Sequence, residues 1–265
     1  MIENRKYLTG ISSDDYIHPA EKKIRINSAE IISKGLDALN DLSVSLVRRI
    51  TLGKHIHVTD ETAPSLHNIV RDVCKVLDYQ PVPQVYICHQ AAQTLFCAGT
   101  DQNQITLSDY ILEQYDDDML YFAIGNLISM FKSGHVKLVT VCSMMPPTPV
   151  AKAFELPLNT YLRAADLSSD RGGLLACQNF SAAARCILWD AGIPISDTLK
   201  MSEDEIIKIS EAYINATDTY SPGWLEHVAM GWEKLNMTST PHAYRLKELL
   251  VWYRSGYAEL LQQWK

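Results

Sequence analysis

Five residues between positions 126 and 171 are of types that suit binding or acid–base chemistry. Asn126 and His135 lie within and just after one apolar helical segment, and Asp166, Asp170 and Arg171 lie within a second. If the two helices are neighbours, these side chains share a polar pocket. A carboxylate enclosed there would have a raised pKa and would serve as an acid or a base.

The surrounding sequence resembles a known protease family. The first helical segment ends in Lys132-Ser-Gly-His135-Val136, and the second contains Asp170-Arg171 followed by Leu174-Leu175-Ala176-Cys177. A strand at about Thr94–Gly99 precedes both, and a tail from Pro241 to Tyr257 follows them. Together they resemble the M48 family of zinc metallopeptidases, the HtpX-like and Ste24-like proteases. The resemblance implies an α+β, mostly helical zincin-like fold with a small mixed sheet in a single domain.

The resemblance fails at the residues that would bind zinc. In the family, the first helix carries two histidine ligands at i and i+4 and a glutamate at i+1, the general base on the metal-bound water. Those positions here are Asn126, Leu127 and Met130, and Asp166 replaces the glutamate that is the third ligand. An amide and a thioether are poor zinc ligands, and leucine accepts no proton. Zinc is the cofactor expected for the family, but we expect this chain to have no metal site and no catalytic residue at these degenerate positions.

These replacements suggest a metal site converted to packed core. Leu127 and Met130 extend an apolar stripe that includes Leu120, and methionine fills irregular gaps well. A buried carboxylate at Asp166 requires a partner, and the amide of Asn126 is the natural one. The alternative is that Asp166 binds the amine of a ligand or an ion.

Other polar residues allow both structural and functional interpretations. We expect Asp170 and Arg171 to form an ion pair or a hydrogen-bonded clasp that holds the two helices together. His135 either caps a helix or lies on the surface, or else acts as an acid or a rebuilt ligand. His55 and His57 share one face of a strand, where surface positions are favoured over a metal site.

The favoured function is that of a catalytically inactive metallopeptidase homologue, a pseudoprotease that binds a peptide or protein partner. In the family, an extended substrate pairs with the edge strand through main-chain hydrogen bonds, which require no metal. The partner would be a peptide processed by another enzyme, or that processing or biosynthetic enzyme itself. The expected binding residues are Thr94, Leu95, Phe96, Cys97, Asn126, His135, Asp166, Asp170 and Arg171.

Two other functions remain open. One is an enzyme with repurposed, non-zinc chemistry in the same pocket, which requires a cleft with at least two convergent ionisable groups. The other is residual metallopeptidase activity through non-standard ligands such as His135 with Asp166. Stoichiometric zinc in the purified protein would favour the latter.

The hydrophobic pattern predicts helices interspersed with a few short strands. Residues 1–26 are polar and predict a surface arm in front of an M48-like domain, residues 27–265. The proline-rich stretch 146–157 predicts a loop or two short pieces. Strands are expected at 54–59, 84–88, 94–98 and 104–107, and a helix is expected to start at 108. Further helices are expected at 28–50, 63–77, 116–132, 158–177, 180–191, 203–215, 223–235 and 241–263.

Composition narrows the class of protein. The 265 residues carry a net charge of −7 without a Lys/Arg-rich run, which argues against a dedicated nucleic-acid binder. The longest apolar stretches, Met119–Phe131 and Leu138–Ala151, are shorter than a bilayer-spanning helix, and the first residues do not resemble a secretory signal. The six cysteines form no CxxC pair and indicate buried thiols in a reducing compartment. We therefore expect a cytoplasmic protein.

Overall fold

The computed structural model describes residues 5–24, 54–89, 95–98, 103–136, 149–218 and 240–264, and only the backbone of 95–98, 149–158 and 217–218. The described strands are β1 (Ile56–His57), β2 (Gln84–Cys88), β3 (Leu95–Ala98) and β4 (Gln104–Ser108). The described helices are α1 (residues 19–24), α2 (Pro64–Val76), α3 (Asp109–Gln114), α4 (Asp117–Lys132), α5 (Pro149–Cys177), α6 (Phe180–Asp190), α7 (Ile195–Thr198), α8 (Glu203–Asp218), α9 (His242–Trp252) and α10 (Ala258–Leu261). A π-helical turn, Tyr253–Tyr257, joins α9 to α10. This mostly helical arrangement with a small sheet confirms the predicted α+β class.

The sheet is mixed and has the strand order β1-β2-β4-β3. β2 and β4 are parallel, whereas β1 pairs with β2 and β3 pairs with β4 in the antiparallel sense. All five residues of β4 are buried, as expected for a central strand. β3 is an edge strand in the described sheet, and its register places Leu95 opposite Leu107 and Ala98 opposite Gln104.

Helix ends follow local sequence signals. Pro64 occupies the first turn of α2, where its missing N–H costs no hydrogen bond. The carboxylate of Asp116 caps α4 by accepting the N–H of Met119. After α4 and α6, Gly134 and Gly192 adopt φ of 76° and 102°, left-handed conformations that suit glycine and end the helices.

Glycines allow α4 and α5 to pack unusually closely. A Cβ added to Gly125 of α4 would lie 2.3 Å from the Cβ of Ala176, and one added to Gly173 of α5 would lie 2.8 Å from the carbonyl oxygen of Phe122. Gly172 likewise lies against a serine side chain of α4. We call these three glycines the glycine seam. It brings the two helices that carry the candidate site into direct backbone proximity.

The prediction of a loop or two short pieces at 146–157 is wrong for residues 149–157, the part that the structure describes. There, helix α5 begins at Pro149 and continues through Pro157. Proline is compatible with the first turn of a helix, which accounts for the first of the two. The helices expected at 28–50 and 223–235 lie outside the described residues.

The expected surface arm is also a wrong prediction for the described residues 5–24. Leu8, Ile11 and Tyr16 are buried in the hydrophobic core. The Leu8 N–H donates to the carbonyl of Val76, and Ser129 donates to the Tyr16 hydroxyl. The segment was predicted to lie on the surface because it is mostly polar, and its three apolar residues are too widely spaced to form a recognisable pattern.

None of the described helices is long and apolar enough to cross a membrane. The described cysteine side chains, at positions 74, 88, 177 and 186, are buried free thiols. Burial raises the pKa of Cys74 and Cys177 to about 12, so both thiols stay protonated and unreactive at neutral pH.

Candidate functional site

The carboxylate of Asp170 on α5 is the centre of the candidate site. Its side chain is 1% exposed and accepts two hydrogen bonds from Arg245 of α9, at 2.8 Å from Nε and 2.7 Å from Nη2. The amide of Asn126 on α4 donates to the same carboxylate at 3.0 Å. Arg245 also reaches Asp190 at the end of α6, at 3.3 Å. We call Asn126, Asp170, Asp190 and Arg245 the Asp170 cluster.

A bidentate guanidinium–carboxylate pair of this kind is a strong and geometrically specific contact. Each member of the Asp170 cluster comes from a different helix, so the cluster ties α4, α5, α6 and α9 together. Nearby carboxylates hold the pKa of Arg245 above its ordinary value, against the opposing effect of burial. The guanidinium is therefore a permanent charge that neutralises the buried carboxylate.

Asp166 does not pair with Asn126, and that prediction is wrong. Its Oδ2 accepts the backbone N–H of Thr240 at 2.9 Å, while the Thr240 hydroxyl donates to the carbonyl of Arg163 at 2.7 Å. Burial raises the pKa of Asp166 to about 6, although Arg245 acts in the opposite direction. Asp166 is thus a carboxyl group that changes charge close to neutral pH.

Arg171 does not pair with Asp170 either. It donates to the carbonyl of Ile17 at 3.2 Å, and its guanidinium carbon lies 5.1 Å from the centre of the Trp252 ring. Burial lowers its pKa to about 10, partly offset by Glu248. The clasp between the two site helices exists, but Asp170 makes it with Asn126 rather than with its neighbour in sequence.

Leu127 and Met130 contribute apolar groups to the protein core. Leu127 is 4% exposed and belongs to the same core cluster as Ile124, and Met130 is partly buried and packs against that cluster. An amide, an isobutyl group and a thioether on this helix do not fit zinc, which prefers imidazole, thiolate and carboxylate ligands. In the described ranges, no group of three or more His, Cys, Asp or Glu residues is arranged to hold a metal ion.

His135 lies in the interior, so the expectation of a surface position is wrong. Its Nε2 lies 2.8 Å from Oε1 of Glu21, and both side chains are fully buried. Its ring is nearly perpendicular to that of Tyr161, with an interplanar angle of 87° and ring centres 5.6 Å apart. His57 is exposed on β1, and its ring lies 5.0 Å from that of Tyr86.

The expected strand residues are only partly described. Leu95, Phe96 and Cys97 belong to β3, for which the backbone alone is described, and Thr94 lies outside the described residues. Sequence reasoning missed Asp190 and Thr240 as partners in the site. Arg245 lies in the tail that carried the family resemblance, but nothing in its local sequence identified its partner.

Comparisons with known proteins support a distant relationship to a metallopeptidase. The chain is 21% identical over 279 residues to "Plastoglobule-localized metallopeptidase 48, chloroplastic" from Arabidopsis thaliana, and the aligned region covers 96% of this chain and 76% of that relative. Neither a protein-family model nor a solved structure matches the chain. Similarity over nearly the whole chain agrees with a distant M48-like relationship.

Proposed function

We propose that this protein is a non-catalytic relative of M48 metallopeptidases that binds a peptide or protein partner along β3 and the former active-site groove. The observation that carries the proposal is the Asp170 cluster. At the helix positions where a peptidase of this family would carry two imidazoles and a general base, the chain has a carboxylate-bound amide and two apolar side chains.

The absence of a proton acceptor at Leu127 supports the loss of catalysis. Hydrolysis by a zinc peptidase requires a metal-bound water and a carboxylate that removes its proton. Leu127 is packed into the core, and the amide of Asn126 donates to Asp170. The positions at which a peptidase of this family would activate water are occupied here by side chains that stabilise the contact between α4 and its neighbours.

Partner binding is supported by the position of β3. It pairs with β4 on one side, and no described strand pairs with its other side. An edge strand presents unpaired main-chain donors and acceptors to an extended peptide. Asn126 and Asp166 are partly exposed and offer polar contacts for the side chains of such a segment.

The binding proposal is tested with a library of extended ten-residue peptides, using fluorescence anisotropy and hydrogen exchange of β3. Main-chain N–H groups alternate in direction along an edge strand, so either Phe96→Pro or Cys97→Pro removes an outward-facing donor. We expect wild-type binders to protect β3 amides. We also expect one of the two variants to keep its melting temperature while losing binding. If no peptide protects β3, or if both folded variants bind as well as the wild type, the proposal is wrong.

A second candidate function, an enzyme with non-zinc chemistry, is favoured by Asp166. A carboxyl group with a pKa of about 6 is suited to general acid–base catalysis near neutral pH. Its test is a panel of chromogenic ester, glycoside and amide substrates. Activity that is retained in chelator and lost in Asp166→Asn would support this candidate over the binding protein.

A further inference from the structure

His18 forms an N-terminal cap for α1 through its side chain. Its Nδ1 lies 3.1 Å from the backbone nitrogen of Ala20, and its Nε2 lies 3.0 Å from Oε2 of Glu248 on α9. The N–H of Ala20 can only donate, so Nδ1 must be the acceptor and carry no proton. The proton of the neutral ring is then on Nε2, where it is donated to Glu248.

The backbone of His18 is fixed at the same point. Its N–H donates to the Ser168 hydroxyl of α5 at 2.9 Å, and its carbonyl accepts the N–H of Lys22 at 3.1 Å. Pro19 occupies the first helical position, where its missing N–H is tolerated. The side-chain cap and the backbone contacts of His18 therefore set both the start of α1 and its docking on α5.

Among the described residues, three charged groups act electrostatically on the His18 ring. Glu248 approaches from α9, Arg171 from α5 and Glu21 from α1 itself. Burial lowers the pKa of His18 and Arg171 acts in the same direction, whereas the two carboxylates oppose them. The net effect favours the neutral ring in the folded protein, in agreement with the tautomer that the hydrogen bonds require.

Protonation would reverse the role of Nδ1. An imidazolium carries hydrogen on both nitrogens, so two N–H groups would face each other at the position of the cap. The new positive charge would also lie at the N-terminal end of α1, where the helix dipole disfavours it. Because α1 carries Glu21 to the buried His135, loss of the cap weakens that contact as well.

We propose that His18 is an acid-sensitive latch, whose protonation detaches α1 from α5 and α9 and opens the buried contact between Glu21 and His135. The sign follows from the lowered pKa. The latch contributes stability above the ordinary histidine pKa of about 6.5, and this stability is lost as the pH falls through the lower value of the folded protein. This inference is independent of the proposed partner binding.

The direct test is the nitrogen chemical shifts of the His18 ring, followed by NMR from pH 8 to pH 4. We expect the Nε2–H tautomer at neutral pH and a titration midpoint below that of an exposed histidine. An Nδ1–H tautomer, or a raised midpoint, would overturn the proposal. This measurement uses the wild-type protein and does not depend on the folding of any variant.

Hydrogen exchange tests the consequence for α1. Between pH 7 and pH 5, after correction for intrinsic rates, we expect residues 20–24 to lose protection as the His18 ring takes up a proton and the cap is lost. His18→Asn is the matched control, since asparagine is a preferred N-cap and does not titrate. Its α1 should keep its protection at pH 5, and an equal loss in both proteins would contradict the role of His18.

A second variant, Glu248→Gln, tests the direction of the charge effect. Glutamine can still accept the hydrogen bond from Nε2 but no longer attracts a proton to the ring. The pH midpoint at which residues 20–24 of α1 lose their hydrogen-exchange protection should therefore be lower in this variant than in the wild type. An unchanged midpoint, or a move to higher pH, would contradict the effect of the Glu248 charge on His18.

Discussion

The two sides of the α4–α5 contact are built in opposite ways. At the glycine seam the two backbones approach closely because three residues have no side chain, so this part of the contact depends on steric fit alone. The Asp170 cluster joins polar side chains from four helices, namely three charged groups and the neutral amide of Asn126. The seam involves only two helices, whereas the cluster draws one residue from each of four helices. The comparison teaches that one helix pair is held by close backbone packing in one place and by charge and hydrogen bonding in another.

The largest expected loss of stability follows from removing the positive charge of Arg245, which neutralises Asp170. Arg245→Met leaves a carboxylate buried without its cation, and we expect the free energy of unfolding to fall by about 3–5 kcal/mol. Urea denaturation at pH 7 measures the loss. Arg245→Lys keeps the charge but not the bidentate geometry, so its loss should be smaller.

The double variant Arg245→Met with Asp170→Asn is the control for that experiment. It removes both charges, so it should recover part of the stability that Arg245→Met loses. If the double variant is less stable by the sum of the two single losses, the pair is not coupled and the description of the cluster is wrong.

A smaller effect is expected at the glycine seam. In Gly125→Ala the new methyl group would overlap with Ala176, and we expect overpacking to cost about 1–3 kcal/mol. Adding Ala176→Gly removes the methyl group with which the new one overlaps, so the double variant should recover part of the lost stability. Thermal denaturation of the three proteins checks this, and an Ala176→Gly change that gives no rescue would contradict the close approach.

The smallest effect is expected at Asp166 and depends on pH. Its folded pKa of about 6 is above its ordinary value of 3.8, so the folded state binds the extra proton and stability falls as the pH rises between these values. Asp166→Asn keeps an acceptor for the N–H of Thr240 and does not titrate. The variant should therefore gain stability relative to the wild type between pH 4 and pH 7. A stability difference that is the same at both pH values would contradict the raised pKa.

Much of the described fold was predictable because local signals dominate it. The strands at Gln84–Cys88 and Gln104–Ser108 follow short apolar runs, and the limits of α4 follow its acidic N-terminus and Gly134. The start of α5 was missed because Pro149 was interpreted as part of a loop, although proline suits a first helical turn.

The candidate site was less predictable than the elements that carry it. The sequence identified Asn126 and Asp170 and the apolar character of Leu127, but it assigned the wrong partners to Asp166 and Arg171. The true partners, Thr240 and Ile17, are recognised through their backbone groups, which leave no trace in residue type. The burial of His135 depends on Glu21, which is 114 residues away in the chain.

The proposal that the site is non-catalytic is tested most directly by zinc stoichiometry. The purified chain is equilibrated with zinc, dialysed and analysed by mass spectrometry for metal per chain, with its peptide-cleaving activity measured in the same sample. Because amide, isobutyl and thioether groups occupy the ligand and base positions, we expect no stoichiometric zinc and no cleavage. One zinc ion per chain, removed by a chelator together with a peptidase activity, would contradict the account.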